Sequence, residues 1–378
     1  MRKKRTYGLA ALAALALAPL SASAVNIYDK DGITFDLGAK IDAGYQFKHT
    51  AKLDNDATDP DGYTNTARLG DGGRNTSRLT FAGTRTMSED LQAFFDTDLR
   101  FGSFHEGKTG ISSNDKKVVG LKSKNWGQLI WGTQNIASQQ FVINKPHPDN
   151  ELVKYGVSAM RQSSLTNRTT YYQTPVWQGM AVRASYSFGD EQTKDTGDGN
   201  VRNGSVFGAG WEGEYKKMYG AGIAGFRKAS GNTASPDDIT GIETYLLVKP
   251  VKDLRISLLH NRYHGRAGGV GRTFKERNWG LTTRYVVNDW ELGATLTYLG
   301  DKGSWNGTAV EKNSGRGWQT YVGYRLPNKV LVYGGVQRQD FDKDEEVLGK
   351  FDGTKPNFTD KMTKRDETYV RLGMLLEF

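Results

Sequence analysis

The sequence predicts an all-β fold: sixteen antiparallel strands closed into a transmembrane barrel, long loops at one end and short turns at the other. Three observations carry that expectation. In the last ten residues, 369–378, Val370, Leu372, Met374, Leu376 and Phe378 alternate with a mixed set carrying Arg371 and Glu377, the period of two that separates the faces of a strand. Over 35–47 every odd residue is apolar and every even one small or polar, among them Lys40 and Asp42. Between these two stretches, strand-like segments follow one another with short and long connections in alternation.

The amino terminus supplies the route to a membrane. Arg2, Lys3, Lys4 and Arg5 precede an apolar run over 8–20 and the small-residue site Ala22-Ser23-Ala24. We therefore expect a signal peptide over 1–24 and a barrel over 25–378. The apolar run is shorter than the roughly 20 residues of a spanning helix. Removing 1–24 takes away four of the 51 basic side chains, so the net charge of +9 falls to +5. No basic–aromatic run accompanies the remainder, so no nucleic-acid partner is expected. The chain has no cysteine, which excludes a disulfide scaffold and thiolate metal sites. A mean hydropathy of −0.61 suits a barrel as well as a soluble protein, because only alternate residues meet lipid.

In order, we expect strands over 35–47, 78–85, 91–101, 117–123, 128–134, 166–172, 180–188, 205–215, 219–227, 240–249, 254–264, 279–286, 290–298, 317–324, 330–337 and 369–378. The tight turns include Ser88-Glu89-Asp90, Lys216-Lys217 and Asn288-Asp289. A strand edge left open in lipid strands backbone groups at several kcal/mol each, so the last strand must close on the first. The terminal Phe378 behind Leu376 and Met374 resembles the assembly signal of bacterial outer-membrane barrels, which makes the barrel assembly machinery an expected partner.

The stretches NIYDKDGITFDLGAKIDAGYQF, SRLTFAGTRTMSEDLQAFFDTDL and VVGLKSKNWGQLIWGTQN resemble the general diffusion porins of Gram-negative outer membranes. NRTTYYQTPVWQGM and the terminal MLLEF follow in the family's order. The resemblance implies a homotrimer in outer-membrane lipid and a water-filled channel for small hydrophilic solutes and ions, with no cofactor and no enzymatic site. It implies a third loop folded into the lumen, here 135–165, and a second loop near 102–116 that reaches a neighbouring subunit. It also implies a basic wall, matched by Lys40 in GAKIDAG and Arg78 in SRLTFAG. The family often carries arginine where this chain has Thr133; Arg168 is the expected replacement.

Parity places Lys40, Asp42, Arg78, Lys122, Arg183, Arg284 and Arg371 inward, since a basic side chain facing lipid costs up to roughly 2–4 kcal/mol at the midplane. Within the third loop Lys145, Lys154 and Arg161 outnumber Asp149 and Glu151, so a modest anion preference is expected. The pore-lining set is thus Lys40, Asp42, Arg78, Lys122, Asp149, Glu151 and Arg168.

Other patterns read as structure. Gly208-x-Gly210-x-x-Gly213 and Gly220-x-Gly222-x-x-Gly225 satisfy G-x-G-x-x-G, but they lie inside strands, where no helix follows to meet a pyrophosphate. We read them as sites of close packing, where the wall flattens against a neighbour. The acidic run Asp54, Asp56, Asp59, Asp61 lacks the spacing and closing glutamate of a calcium loop. No metal site is expected at the five histidines. Three alternatives stand beside the channel: a barrel hydrolase, a substrate-specific channel lined by an aromatic slide, and a soluble adhesive β-protein.

Overall fold

The computed structural model describes residues 25–51, 63–70, 77–100, 116–139, 166–188, 205–232, 235–267, 272–305, 308–327, 330–341, 345–348, 351–352, 355–356, 361–364 and 367–377. The chain opens with β1 (Val25–Lys30), β2 (Ile33–Ala51), β3 (Tyr63–Gly70), β4 (Arg78–Thr86) and β5 (Leu91–Arg100). It continues through β6 (Lys117–Ser123), β7 (Gly127–Gln134), a 3-10 turn at Ala137–Gln139, β8 (Thr166–Gln173), β9 (Met180–Ser187) and β10 (Val206–Tyr215). Then come β11 (Tyr219–Asn232), β12 (Ser235–Val251), β13 (Leu254–Ala267), β14 (Arg272–Val287), β15 (Trp290–Trp305), β16 (Thr308–Leu326) and β17 (Val330–Phe341). Two small hairpins, β18 (Glu345–Leu348) with β21 (Lys361–Lys364) and β19 (Phe351–Asp352) with β20 (Lys355–Pro356), precede β22 (Glu367–Glu377).

Sixteen of these strands form a closed antiparallel ring. From β2 the ring runs through β4 to β17 in sequence order, each strand paired with the next, and β22 joins β17 back to β2. The sixteen expected strands are the sixteen ring members. Closure leaves no unpaired edge, as lipid requires. Six strands were not expected: β18 to β21, which form the two small hairpins, and β1 and β3, which both lie against β2. Lys40–Thr50 of β2 pairs with β22, and Ile33–Leu37 of the same edge pairs with β1. The two ends of the barrel sequence therefore share one seam. Asp31 (φ 55°) and Gly32 (φ 73°) make the turn between β1 and β2, where two positive φ values match the strand twist.

The burial pattern is the reverse of a soluble protein's. On β2, Ile41, Tyr45 and Phe47 are exposed while Asp42 is 1% exposed. On β15, Trp290, Leu292 and Leu296 are exposed while Glu291 and Thr295 are buried. An apolar exposed face repeated around the ring is far larger than a soluble monomer presents, and lipid is its natural solvent. Trp290 and Tyr298 close the two ends of the β15 apolar row, where aromatic side chains favour the interface.

Candidate functional site

The polar face of the ring is the candidate site. Lys40 stands opposite Arg78 in the β2–β4 register, and its Nζ is 3.7 Å from Glu377 Oε1. Asp42 accepts a hydrogen bond from the Tyr333 hydroxyl at 2.6 Å, and its backbone N–H donates to Ser77 Oγ at 3.1 Å. Arg78 Nε lies 3.9 Å from Asp98 Oδ2, while the Thr80 hydroxyl donates to Asp98 Oδ1 at 2.7 Å. Lys116 pairs with Asp96 on the same face. Lys122 pairs in register with Gln92 and Gln128, is exposed, and makes no ion pair among the described residues.

A second cluster sits on β9, β10 and β12. The Arg183 guanidinium is 3.0 Å from Glu212 Oε1, with both side chains fully buried, and the Tyr245 hydroxyl donates to Glu212 Oε2 at 3.4 Å. Arg183 Nε also donates to the Ala137 carbonyl at 2.6 Å, and the Ala137 N–H donates to Ser185 Oγ at 2.8 Å. Ile136 packs with Val206, Phe226, Ile239 and Tyr263, which belong to the inward rows of β10 to β13. The start of the third loop therefore lies against the inner wall.

A third cluster centres on Glu291, which accepts from Arg284 Nε at 3.0 Å, from the Tyr321 hydroxyl at 2.7 Å and from Arg325 at 2.8 Å. Tyrosine, carboxylate and arginine thus recur together at Tyr245–Glu212–Arg183 and Tyr321–Glu291–Arg284. Each tyrosine ring lies over a glycine directly across the strand pair. A Cβ at Gly293 would stand 1.9 Å from the Tyr321 ring, at Gly222 2.3 Å from Tyr245, and at Gly373 2.5 Å from Tyr333. Without a Cβ beneath them, the rings lie flat along the wall instead of crossing the interior, with their hydroxyls aimed at carboxylates.

The glycine patterns are sites of close packing, as expected. A Cβ at Gly208 would meet Ser185 Oγ at 3.1 Å and Ser138 N at 3.3 Å, and one at Gly210 would meet the Arg183 guanidinium at 2.7 Å. At Gly208 and Gly210 the close approach is inside the barrel, to the third-loop start and Arg183, whereas Gly213 lies in the outward row against the Trp211 ring. Gly132 and Gly127 adopt φ of 132° and 83°, and a Cβ at either would stand 2.0 Å from a backbone oxygen.

Of the expected site residues, Lys40, Asp42, Arg78 and Lys122 stand in the inward rows, as do Arg183, Arg284 and Arg371. Arg168 is exposed in a left-handed conformation (φ 50°), next to the buried Thr169. Asp149 and Glu151 lie outside the described residues, as does Phe378. Leu376 pairs with Ile41 and Met374 with Ala43, which sets the terminal strand on β2 in the register its alternation requires. The second loop and the acidic run 54–61 also fall outside the described residues. The Glu291 and Glu212 nodes were not singled out from sequence; their signal, a tyrosine facing a glycine across a strand pair, appears only once register is known.

The model of the Gram-negative porin family matches residues 10–344. An outer membrane porin protein of Bordetella pertussis is 31% identical over 194 residues, covering 49% of this chain and 48% of that protein. The chain thus spans about half the length of that curated relative. Among solved structures, an anion-selective porin from Comamonas acidovorans superposes with a TM-score of 0.67 at 16% identity, over 92% of this chain and all of that one. OmpT of Vibrio cholerae, an outer membrane protein solved in a trimer form, gives 0.62 at 13% identity over 92% and 100%. At these identities the superpositions establish the fold alone. The family model spans nearly the whole ring, and the chain accordingly belongs to the Gram-negative porins, non-enzymatic barrels of the outer membrane.

Proposed function

We propose that the chain forms a water-filled channel for passive diffusion of small hydrophilic solutes and ions, with a weak preference for anions. The observation that carries this reading is the division of the wall: apolar residues exposed outside, charges and hydroxyls inside. Inward acids stand beside bases, Glu291 between two arginines and Glu212 against Arg183, while Lys122 adds uncompensated positive charge. Paired acids contribute little net field, so the bias follows the remaining bases. It stays weak because the Debye length, ~10 Å at 0.1 M salt, lets wall charge favour one sign without excluding the other. The likeness to an anion-selective porin agrees in sign. The inward tyrosines Tyr245, Tyr321 and Tyr333 are each 5% exposed or less, packed into the wall instead of presented as a slide, which favours general over substrate-specific passage.

On the same reading the signal over 1–24 is removed, Phe378 with Leu376 and Met374 addresses the chain to the barrel assembly machinery, and three copies assemble in outer-membrane lipid. The trimeric form of the Vibrio cholerae barrel supports the last point. The test is the zero-current potential in a potassium chloride gradient across a planar bilayer. Wild-type protein should favour chloride slightly. Replacing Lys40→Glu and Arg78→Glu together should shift the potential toward potassium, more at low salt than at high. A wild-type channel clearly selective for potassium would refute the anion preference.

A further inference from the structure

The joint between β22 and β2 closes the ring, and it is built unlike the others. Every other pair of ring neighbours is consecutive in sequence, whereas β2 and β22 come from the two ends of the barrel sequence and meet with no connection between them. No turn sets their register, so side chains must. A slip of one residue would carry each apolar side chain from lipid to the interior, and the outer alternation excludes it. A slip of two keeps every side chain on its own face, and lipid does not distinguish it from the observed register. The discrimination has to come from inside the barrel.

In the observed register Gly44 stands opposite Gly373, Asp42 opposite Leu375 and Lys40 opposite Glu377. Tyr333 stands opposite Gly373 from the other side, on β17. Its ring crosses the terminal strand where a Cβ at Gly373 would lie 2.5 Å away, and its hydroxyl donates to Asp42 Oδ1 on β2 at 2.6 Å. Asp42 is buried, so this hydrogen bond to a carboxylate is made away from water. If β2 slid so that Gln46 came opposite Gly373, Gly44 would take the place of Asp42 and the hydroxyl would lose its acceptor. The same slide would set Asp42 against Glu377 and Lys48 against Arg371, like charge to like. The opposite slide would offer the hydroxyl Lys40 in place of Asp42. It would also bring Glu377 opposite Gly38, next to Val25, which already holds the place opposite Leu37 on that edge. β1 is an end stop against that slide.

We propose that Tyr333 and Asp42 form the register key of the barrel seam, with β1 as the stop behind it. A tyrosine on β17 reads the first ring strand through the last, and of the registers that keep the faces only the observed one gives its hydroxyl a carboxylate. The ion pairs Lys48–Glu367 at 2.7 Å and Lys40–Glu377 at 3.7 Å then fasten the register so chosen. Tyr321 makes a similar hydrogen bond to Glu291, at 2.7 Å, but between β16 and β15, which are joined by the hairpin at Trp305 and Thr308. That bond stiffens the wall without choosing a register. The key is independent of ion selectivity in the lumen.

The test is disulfide trapping in the full-length chain refolded in detergent, where no native cysteine competes. Leu372→Cys is combined in turn with Tyr45→Cys, Phe47→Cys or Ala43→Cys. Tyr45 is the observed partner of Leu372, and Phe47 and Ala43 become its partners after a slide of two residues one way or the other. Residues directly opposite on neighbouring strands lie within disulfide reach, so the cross-linked fraction of heat-modifiable barrel reports the register. The unaltered seam should give the Tyr45 pair almost alone. A hydrogen bond to a charged group biases an equilibrium by roughly ten-fold to a hundred-fold, so Tyr333→Phe should raise the Phe47 pair about ten-fold or more. The Ala43 pair should stay low behind β1. Tyr321→Phe, an equal loss of a buried hydroxyl, should leave the pattern unchanged. Exchanging the acid, Asp42→Gly with Gly44→Asp, should make the Phe47 pair dominant, and this arm does not depend on the folding of the Tyr333 variant. An unchanged pattern in Tyr333→Phe, an equal shift in Tyr321→Phe, or a Tyr45 pair still dominant after the exchange overturns the proposal.

Discussion

Replacing Arg183 with methionine tests whether the start of the third loop is fastened to the wall as the geometry implies. The substitution keeps length and apolar bulk but removes the 3.0 Å pair with Glu212 and the 2.6 Å hydrogen bond to the Ala137 carbonyl. Both charges are fully buried, so the loss leaves Glu212 with the Tyr245 hydroxyl at 3.4 Å in place of a full counter-charge. Breaking a buried pair by removing one partner costs roughly 3–5 kcal/mol. Removing both, Arg183→Met with Glu212→Gln, should cost markedly less than either single change implies, and the double-mutant cycle measures the coupling. The assay is urea unfolding in detergent followed by tryptophan fluorescence, with tryptic cleavage at Lys154 and Arg161 as a second readout. Release of Ala137 should speed that cleavage and raise single-channel conductance. A variant within about 1 kcal/mol of wild type, with an unchanged tryptic map, would show that Arg183 does not hold the loop.

Three further outcomes are expected. Gly293→Ala should destabilise the barrel by roughly 1–3 kcal/mol in the same unfolding assay, because its methyl occupies the place of the Tyr321 ring 1.9 Å away; adding Tyr321→Ala should recover part of the loss, and no recovery would count against the packing argument. Asp90, in the turn between β4 and β5, is held below the ordinary carboxylate range, chiefly by the Ser123 hydroxyl and also by the Lys124 and Asn125 N–H groups. Its contribution to stability is complete above the unfolded pKa of about 3.9 and is lost as pH falls through the lower folded value. Asp90→Asn should therefore flatten acid-dependent unfolding below about pH 4, and an unaltered acid limb would exclude this carboxylate as a contributor. Deleting Phe378 should sharply reduce heat-modifiable barrel in the outer membrane while synthesis continues; normal levels would remove Phe378 from the assembly signal.

The ring was legible because its rule is local. A strand with one face in lipid and one in a polar interior alternates strictly, and β2 and β22 show that alternation residue by residue. Tight turns such as Lys216-Lys217, both at positive φ, punctuate it. The lengths above the membrane were less legible: β14 begins at Arg272 and not 279, because beyond the lipid the outward residues become charged and the apolar period fades. β1 escaped although Asp31-Gly32 is a strong hairpin signal, since six residues with every position exposed carry no face to read. Within the site, parity placed Lys40, Asp42 and Arg78 inward but could not pair them. That Tyr333 reaches Asp42, or that Glu291 sits between Arg284 and Arg325, depends on register across strands far apart in sequence.

The flat tyrosines have a bearing on how this wall can evolve. Residues 293 and 321, 222 and 245, and 373 and 333 each lie face to face on neighbouring strands, one without a side chain so that the other can have a large one. Enlarging the glycine first evicts the ring; trimming the tyrosine first leaves a dent and an acid short of a donor. Neither order offers a neutral first step, so such positions should drift as couples and not singly. In a deep set of descendants their columns would be statistically tied, and the outline of the passage would change in discrete jumps, one couple at a time.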